Sequence, residues 1–293
     1  MMANNTHSIT NIEEIRGRPE RSAPAADLDI RQLSPAIGIE VLGADLSRSI
    51  GDSAFQRIRK AWEENCIVLF RGQKFSLIKQ LQFASQFGAP AKTRRGPPAM
   101  LEVTNALDAN GTPGILRNGA VQFHSDQCYL DEPPIATMLY AIDIPSRGGH
   151  TLFGNGFHAY QSLPEEIKRR LADRQALHIY DYETDPQRRP ERPPSNALRA
   201  THLIFRVHRP TGRPALYVNR LMTWSILDMD PEESRQTLDF LFSHQERAEF
   251  VYEHVWQPGD LIVWDNRSCI HARTDFDPRE RRRLRRITVL DRP

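Results

Sequence analysis

The chain has 293 residues, of which 39% are hydrophobic, which is enough material for one large globular domain or two small ones. Its 39 lysines and arginines nearly balance its 37 aspartates and glutamates, so the net charge of +2 gives no reason to expect general nucleic-acid binding. Three scattered cysteines favour a reducing compartment, and because no long apolar segment indicates a signal peptide or a membrane span, we expect a cytoplasmic protein.

The first third of the chain predicts an extension followed by alternating strands and helices. Residues 1–29 are polar with scattered proline, and we expect them to form a flexible N-terminal extension. A single domain is then expected over residues 30–293. Period-2 alternation or a short apolar run predicts strands, and apolar side chains at helical spacing predict helices. In chain order these segments are the strand "IGIEVLG", the helix "SIGDSAFQRIRKAWEEN", the strand "CIVLFRG" and the helix "SLIKQLQFASQFG".

The remainder of the chain reads mostly as strands and turns. The strand-like segments are "ATMLYAIDI", "LYVNRL" and "GDLIVWDN", and the helical insertions are "HAYQSLPEEIKRRLADR" and the segment that Asp230 caps with Pro231 at its first position. A mainly β fold with helical decoration follows, either a β-sandwich or a jelly roll. Segments near residues 92–120 and 183–200 are rich in proline and arginine, and we expect surface loops or lids there.

The stretch "VQFHSDQCYL" places His124 and Asp126 two positions apart. In an extended chain, side chains at i and i+2 leave the same face, so the imidazole and the carboxylate can converge. A distant histidine would complete the two-histidine, one-carboxylate set that holds non-heme iron(II). His271, which follows a predicted strand and turn in "WDNRSCIHART", is the candidate. By itself the tripeptide is a weak signal, because most such tripeptides are surface or capping residues.

The basic run "RRRLRR" precedes the apolar segment "ITVL". A solvated cluster that contacts phosphate, as in a nucleic-acid-binding module, is the plain alternative. Period-2 alternation, however, places Arg282, Leu284 and Arg286 on one face, which would enter the sandwich with two guanidinium groups. Because buried arginines need anionic partners and their fork suits carboxylates, this face indicates an anionic ligand.

Other polar residues have two interpretations each. Asn219 and Arg220 after "LYV" would either face a substrate or end a strand. His202 and His208 would either line a pocket or form hydrogen bonds within the structure.

Four motifs in this order, "HSD", "GGHTLF", "WDNRSCIH" and "RRRLRR", resemble the taurine dioxygenase and 2,4-dichlorophenoxyacetate dioxygenase family of iron(II)- and 2-oxoglutarate-dependent oxygenases. The similarity covers nearly everything from about residue 30 to the end. It implies a double-stranded β-helix, the cupin-like jelly-roll core of that family. It also implies that His124, Asp126 and His271 are the catalytic metal ligands for iron(II).

The resemblance extends to the binding of organic ligands. It implies that Thr151 and Arg282 bind the cosubstrate 2-oxoglutarate and that Arg286 binds the anionic group of the prime substrate. Two departures from the family pattern are His150, where "GGDT" is usual, and Phe123, where many relatives have tryptophan. Both are expected to affect the pocket without changing a ligand.

The function that follows is hydroxylation of a small anionic organic substrate, such as an aryloxyalkanoate, a sulfonate or a related carboxylic acid, with cleavage where the product is unstable. The resemblance implies that iron(II), 2-oxoglutarate and O2 are required and that succinate and CO2 are released. A non-catalytic sensor that binds metal and 2-oxoglutarate is the alternative. We expect no nucleic-acid or membrane partner, and the relatives imply a homo-oligomer, either a dimer or a tetramer.

Overall fold

The computed structural model describes residues 28–91, 100–106, 114, 116, 119–180 and 193–291. Nearly all of the predicted N-terminal extension and most of the two predicted lid segments lie outside the described residues. The described chain starts at the buried Leu28, and its first strand begins at Asp29.

Strands predominate in the described residues, with helices between them. The helices are α1 (Asp52–Asn65), α2 (Leu77–Phe87), α3 (Gly156–Gln161), α4 (Glu165–Leu171) and α5 (Pro231–Gln245), with a 3₁₀ helix at Ala248–Phe250. The strands are β1 (Asp29–Gln32), β2 (Ile39–Leu42), β3 (Ile67–Phe70), β4 (Ala89–Pro90), β5 (Leu101–Thr104), β6 (Val121–His124), β7 (Ala136–Asp143), β8 (Thr151–Asn155), β9 (Gln175–Ile179), β10 (Arg199–Leu203), β11 (Phe205–His208), β12 (Arg213–Leu216), β13 (Thr223–Ile226), β14 (Val251–His254), β15 (Leu261–Asp265), β16 (Cys269–Arg273) and β17 (Arg283–Leu290).

Two sheets form the centre of the molecule. The larger has the strand order β1-β2-β3-β15-β7-β17-β4, with β5 paired to β17, and the smaller has the order β14-β8-β16-β6. Phe153 and Cys269 of the smaller sheet pack in one buried cluster with Trp264 and Leu284 of the larger sheet, so the two sheets share an apolar interior. The mainly β architecture predicted from the sequence is confirmed.

Helices α1 and α2 cover the other face of the larger sheet. Phe55 and Trp62 of α1 meet Phe87 of α2 edge to face, with ring centroids 5.0 and 5.1 Å apart. These rings pack on Val263 and Ile287 of the sheet. The two predicted helices are therefore confirmed, and they leave the interior between the sheets for the site. Among the described helices, none has both the length and the apolar character that a membrane crossing would require.

Two predicted elements differ in the structure. The strand predicted over "LYVNRL" already ends at Leu216. Beyond it, Asn219 forms a turn in which its side chain accepts from the Met222 N–H and its own N–H donates to Thr223 Oγ1. The long helix predicted from residue 158 is two helices, since Pro164 stands at the start of α4 and interrupts the pattern. Asn219 therefore lies in a turn three residues beyond the end of β12, where its side chain makes a hydrogen bond within the chain.

Candidate metal centre

Three predicted ligands converge at one end of the smaller sheet. His124 is the last residue of β6, and it is the direct cross-strand partner of His271 in β16, with ring centroids 4.1 Å apart. Asp126 lies just beyond the end of β6, in a turn rather than in the predicted extended strand. One ligand atom from each of the three side chains lies within 4.8 Å of the others, and all three residues are buried. The sheet register thus brings the distant histidine to the local pair.

The protonation of the two imidazoles suits metal binding. His124 Nδ1 lies 2.9 Å from the Gln122 carbonyl oxygen, so in the neutral ring this nitrogen donates and Nε2 keeps its lone pair for a metal. Burial lowers the pKa of His124, and burial together with the neighbouring His124 lowers the pKa of His271 to about 3. His271 Nδ1 is buried without a hydrogen bond from the described residues. Both rings are therefore neutral, which is the ligand form.

The carboxylate of Asp126 is held in its ionised form by its neighbours. Burial by itself would raise its pKa, but the Arg286 guanidinium and the hydrogen bond from the Thr137 hydroxyl lower the pKa below its usual range. Arg286 Nη1 lies 3.6 Å from Oδ1, and the Thr137 hydroxyl donates to Oδ2 at 2.7 Å. Asn266 Nδ2 in turn donates to Thr137 Oγ1 at 2.9 Å. This chain of hydrogen bonds fixes the orientation of the carboxylate.

The donor set fits iron(II). Two neutral imidazoles and one carboxylate are the protein ligands of non-heme iron(II) sites, and such a set leaves coordination positions for other ligands. His124, Asp126 and His271 can therefore hold the metal that the sequence implied.

A second polar site lies at the start of β17. Arg282 is only 2% exposed, and its Nε and Nη2 donate to the Gly149 carbonyl at 3.2 and 3.1 Å. Burial, and then the neighbouring Arg273, lower the pKa of Arg282 to about 9, so it remains charged at neutral pH. Within the described residues no carboxylate pairs with Arg282. Thr151, buried at the start of β8, accepts from Trp256 Nε1 at 2.9 Å. A buried cation of this kind is suited to an anionic ligand.

The arginine run alternates as the sequence predicted. Leu284 packs in the interior cluster, and Arg286 reaches Asp126 from the same face. On the opposite face Arg285 lies over the Tyr140 ring, with 4.6 Å between its guanidinium carbon and the ring centroid. Arg283 Nε lies 3.0 Å from Asp143 Oδ2. The run therefore divides into interior and exterior arginines.

The structure places the three histidines that the sequence left open: His150, which departs from the family pattern, and His202 and His208, which had two interpretations each. His150 is directed away from the interior, because its Nδ1 lies 2.6 Å from Glu253 Oε1 in a half-exposed pair. His208 is buried against Asp265, with 3.0 Å between Nε2 and Oδ2, beside the turn that leads into β16. His202 Nε2 lies 2.9 Å from the Cys128 carbonyl and 3.0 Å from that of Leu130. His208 and His202 thus make hydrogen bonds that hold the structure around the site.

Sequence reasoning missed two residues beside the site. Thr137 lies within the apolar segment "ATMLYAIDI", where nothing distinguishes its hydroxyl from an ordinary β-sheet threonine. Arg273 follows His271 by two positions, and that spacing on a strand was a usable signal that it shares the face of the metal ligand.

Together, the two sheets and the buried pair of histidines with one carboxylate define a jelly-roll protein with a non-heme iron site. Comparison with known proteins agrees. The family described as "Taurine catabolism dioxygenase TauD, TfdA family" matches residues 29–288. Pentalenolactone F synthase of Streptomyces avermitilis is 33% identical over 292 residues, which cover 91% of this chain and 95% of that protein.

Two further relatives extend the comparison. The alpha-ketoglutarate-dependent 2,4-dichlorophenoxyacetate dioxygenase of Cupriavidus pinatubonensis is 29% identical over 282 residues, 88% of this chain and 96% of that protein. The crystal structure of AAD-2 in complex with Mn(II) and N-oxalylglycine has a TM-score of 0.76 and 26% identity, covering 91% of this chain and 98% of that one. The chain belongs to the TauD/TfdA dioxygenase family, and it is an iron(II)- and 2-oxoglutarate-dependent dioxygenase that uses O2.

Replacing Thr137 with valine tests whether the Thr137 hydroxyl orients the Asp126 carboxylate for metal binding. The change keeps the side-chain shape but removes the hydroxyl that donates to Asp126 and accepts from Asn266. Because partners that orient a ligand typically contribute 10–100-fold to metal affinity, we expect Mn(II) to bind Thr137→Val about tenfold or more weakly in calorimetry. Thr237→Val, which removes a buried hydroxyl that accepts from Arg170 on α4, is the control. Equal Mn(II) affinity in Thr137→Val and the wild type would contradict this role.

Proposed function

We propose that His124, Asp126 and His271 bind iron(II), and that Thr151 and Arg282 bind 2-oxoglutarate beside it. The observation that carries the proposal is the meeting of three buried ligand atoms within 4.8 Å of one another in the sheet interior. Support comes from the buried Arg282, whose guanidinium is satisfied only by a backbone carbonyl among the described residues.

The proposed reaction hydroxylates a carbon of a small anionic organic molecule. Bound iron(II) supplies the activation of O2. One oxygen atom enters succinate as 2-oxoglutarate loses CO2, and the other replaces a C–H bond of the substrate by C–OH. The residues of this chain bind and orient both acids, and the apolar interior excludes water from the reacting carbon.

Arg286 is the proposed anchor for the acid group of the substrate. Its side chain is 21% exposed, whereas that of Asp126 is 2% exposed, so the guanidinium lies at the accessible side of the metal ligand. An acid group paired with Arg286 would place the neighbouring carbon beside the metal. Aryloxyalkanoates, sulfonates and related carboxylic acids fit this arrangement, and a relative named for 2,4-dichlorophenoxyacetate supports the first of these classes.

The decisive experiment supplies iron(II), ascorbate and 2-oxoglutarate and screens such acids for stimulated succinate release. We expect at least one class to raise succinate formation together with O2 consumption. Binding of 2-oxoglutarate without O2 consumption for any acid would instead favour a sensor of the same fold. If no 2-oxoglutarate binds to the metal-loaded protein, the proposal is wrong.

Replacing Arg286 with alanine distinguishes the binding of the substrate acid from the binding of 2-oxoglutarate. We expect the Michaelis constant for the stimulating acid to rise about tenfold or more, since a charged hydrogen bond is lost, while the Michaelis constant for the keto acid cosubstrate changes little. Arg285→Ala, on the opposite face of β17, should leave both constants near those of the wild type. The reverse pattern, with the cosubstrate affected and the substrate spared, would show that Arg282 and Arg286 have exchanged roles.

A further inference from the structure

Arg273 has a buried guanidinium group that belongs neither to the metal centre nor to the proposed substrate anchor. It lies two positions after His271 on β16, so both side chains leave the strand on the same face. Cys269, a further two positions back, packs in the cluster between the sheets, which identifies that face as the interior one. Arg273 is therefore an arginine within the jelly roll, with only 7% of its surface exposed.

The position of Arg273 is close to both residues proposed for 2-oxoglutarate. Its Cα partner across the ladder is Thr151 of β8. The ladder continues beyond the strands, because the Thr274 N–H donates to the His150 carbonyl and the Gly149 N–H donates to the Asp275 carbonyl. Gly149 is also the residue whose carbonyl accepts from Arg282. Arg273 and Arg282 thus approach the same end of the interior from two sides.

Asp275 gives Arg273 one favourable charge interaction. Two guanidinium groups buried at the same end of an apolar interior still repel each other, and an anion bound between them would relieve that repulsion. The effect of this proximity is already visible, since Arg273 contributes to the lowered pKa of Arg282. A pocket that binds a carboxylate by a single arginine would need no second buried cation. Gly149 keeps the approach open, because a Cβ at this position would lie 3.1 Å from Arg282 Nε.

We propose that Arg273 is a second binding residue for 2-oxoglutarate, and that its guanidinium holds the far carboxylate together with Arg282. This inference rests on the proposed function of the site. The chemical consequence is a preference for keto acids with a second carboxylate, because the paired guanidinium groups act only on that end of the molecule.

A purely structural role predicts something different. Arg273 Nη2 donates to the Gly119 carbonyl, and its guanidinium carbon lies 5.4 Å from the Phe276 ring centroid. If these contacts were its only function, a substitution would lower stability or would weaken every keto acid equally. The discriminating quantity is therefore the ratio of two affinities, which a general loss of structure does not change.

The experiment measures the binding of 2-oxoglutarate and of 2-oxopentanoate, which has the same keto acid end but lacks the far carboxylate, by calorimetry on the Mn(II)-loaded full chain. We expect Arg273→Gln to reduce the preference for the dicarboxylate by about tenfold or more. Arg285→Gln is the control and should retain the wild-type preference. Arg273→Lys, which keeps the charge and loses the fork, should show a smaller loss of preference, and it carries the test if Arg273→Gln does not fold.

The outcomes separate this inference from the proposed function. A wild-type preference that persists in the Arg273 variants, while Arg282→Gln loses it, overturns the role of Arg273 alone. A metal-loaded wild type that shows no preference for the dicarboxylate overturns the proposed function itself. A selective loss in both arginine variants establishes the two-arginine pocket.

Discussion

Replacing Asp126 with alanine is expected to abolish succinate formation and to weaken Mn(II) binding by more than about 100-fold. Residues that only orient a ligand typically contribute roughly 10–100-fold, and the loss of the ligand itself must exceed that. Asp126 supplies the negative charge of the three-residue set and is the carboxylate that Thr137 and Arg286 contact. Its removal leaves two neutral imidazoles beside a guanidinium, an arrangement that repels a divalent cation.

The measurements are metal content after dialysis, a Mn(II) titration and the succinate assay. Asp131→Ala removes an exposed carboxylate from the same loop and should match the wild type in all three. An Asp126→Ala protein that retains both its metal and its succinate formation would show that the cluster of two histidines and one carboxylate is not the catalytic centre.

Replacing Arg282 with glutamine has the second largest expected effect. Truncation of one partner in a buried charge pair costs about 2–5 kcal/mol, so we expect the dissociation constant for 2-oxoglutarate to rise about 30-fold or more. The amide of glutamine keeps a donor for the Gly149 carbonyl, which separates the loss of charge from the loss of the backbone contact. Binding of Mn(II) should be nearly unchanged, because Arg282 contacts none of the proposed ligands among the described residues.

Calorimetry with 2-oxoglutarate on the Mn(II)-loaded protein checks this result. Arg283→Gln changes the next residue, whose guanidinium pairs with Asp143 outside the interior, and it should leave the dissociation constant within about twofold, as is usual for surface changes. Unaltered 2-oxoglutarate affinity in Arg282→Gln would remove this arginine from the cosubstrate site.

Much of the architecture could be predicted from local sequence pattern. The apolar spacing of Phe55, Ile58 and Trp62 predicted α1, and their complete burial explains why the pattern was so regular. The proline-rich segment predicted as a loop or lid near residues 183–200 is followed directly by β10, which starts at Arg199 and pairs along its whole length with β9. Pairing between distant segments supplies that stabilisation, and composition alone does not reveal it.

The candidate site could likewise be predicted only in part from the sequence. The spacing of His124 and Asp126 on the chain indicated a shared ligand point. The position of His271 after a predicted strand and turn made it the candidate third ligand, and the family resemblance implied the same residue. Only the register of β16 against β6 shows that the two histidines are direct partners. The role of Thr137 could not be predicted from the sequence. Its hydroxyl matters only because it donates a hydrogen bond from β7 to Asp126, which lies in the turn after β6.

Strand β6 lies at the end of the smaller sheet, and β16 is its one neighbour among the described strands. A metal ion bound by both His124 on this edge strand and His271 on its neighbour would therefore hold the two strands together. Binding and folding are then thermodynamically linked, since any ligand that favours the paired state adds to its stability. When iron is removed, we expect β6 to separate from β16 before the rest of the sheet opens. Faster hydrogen exchange at the backbone amides of β6 would be the first measurable change.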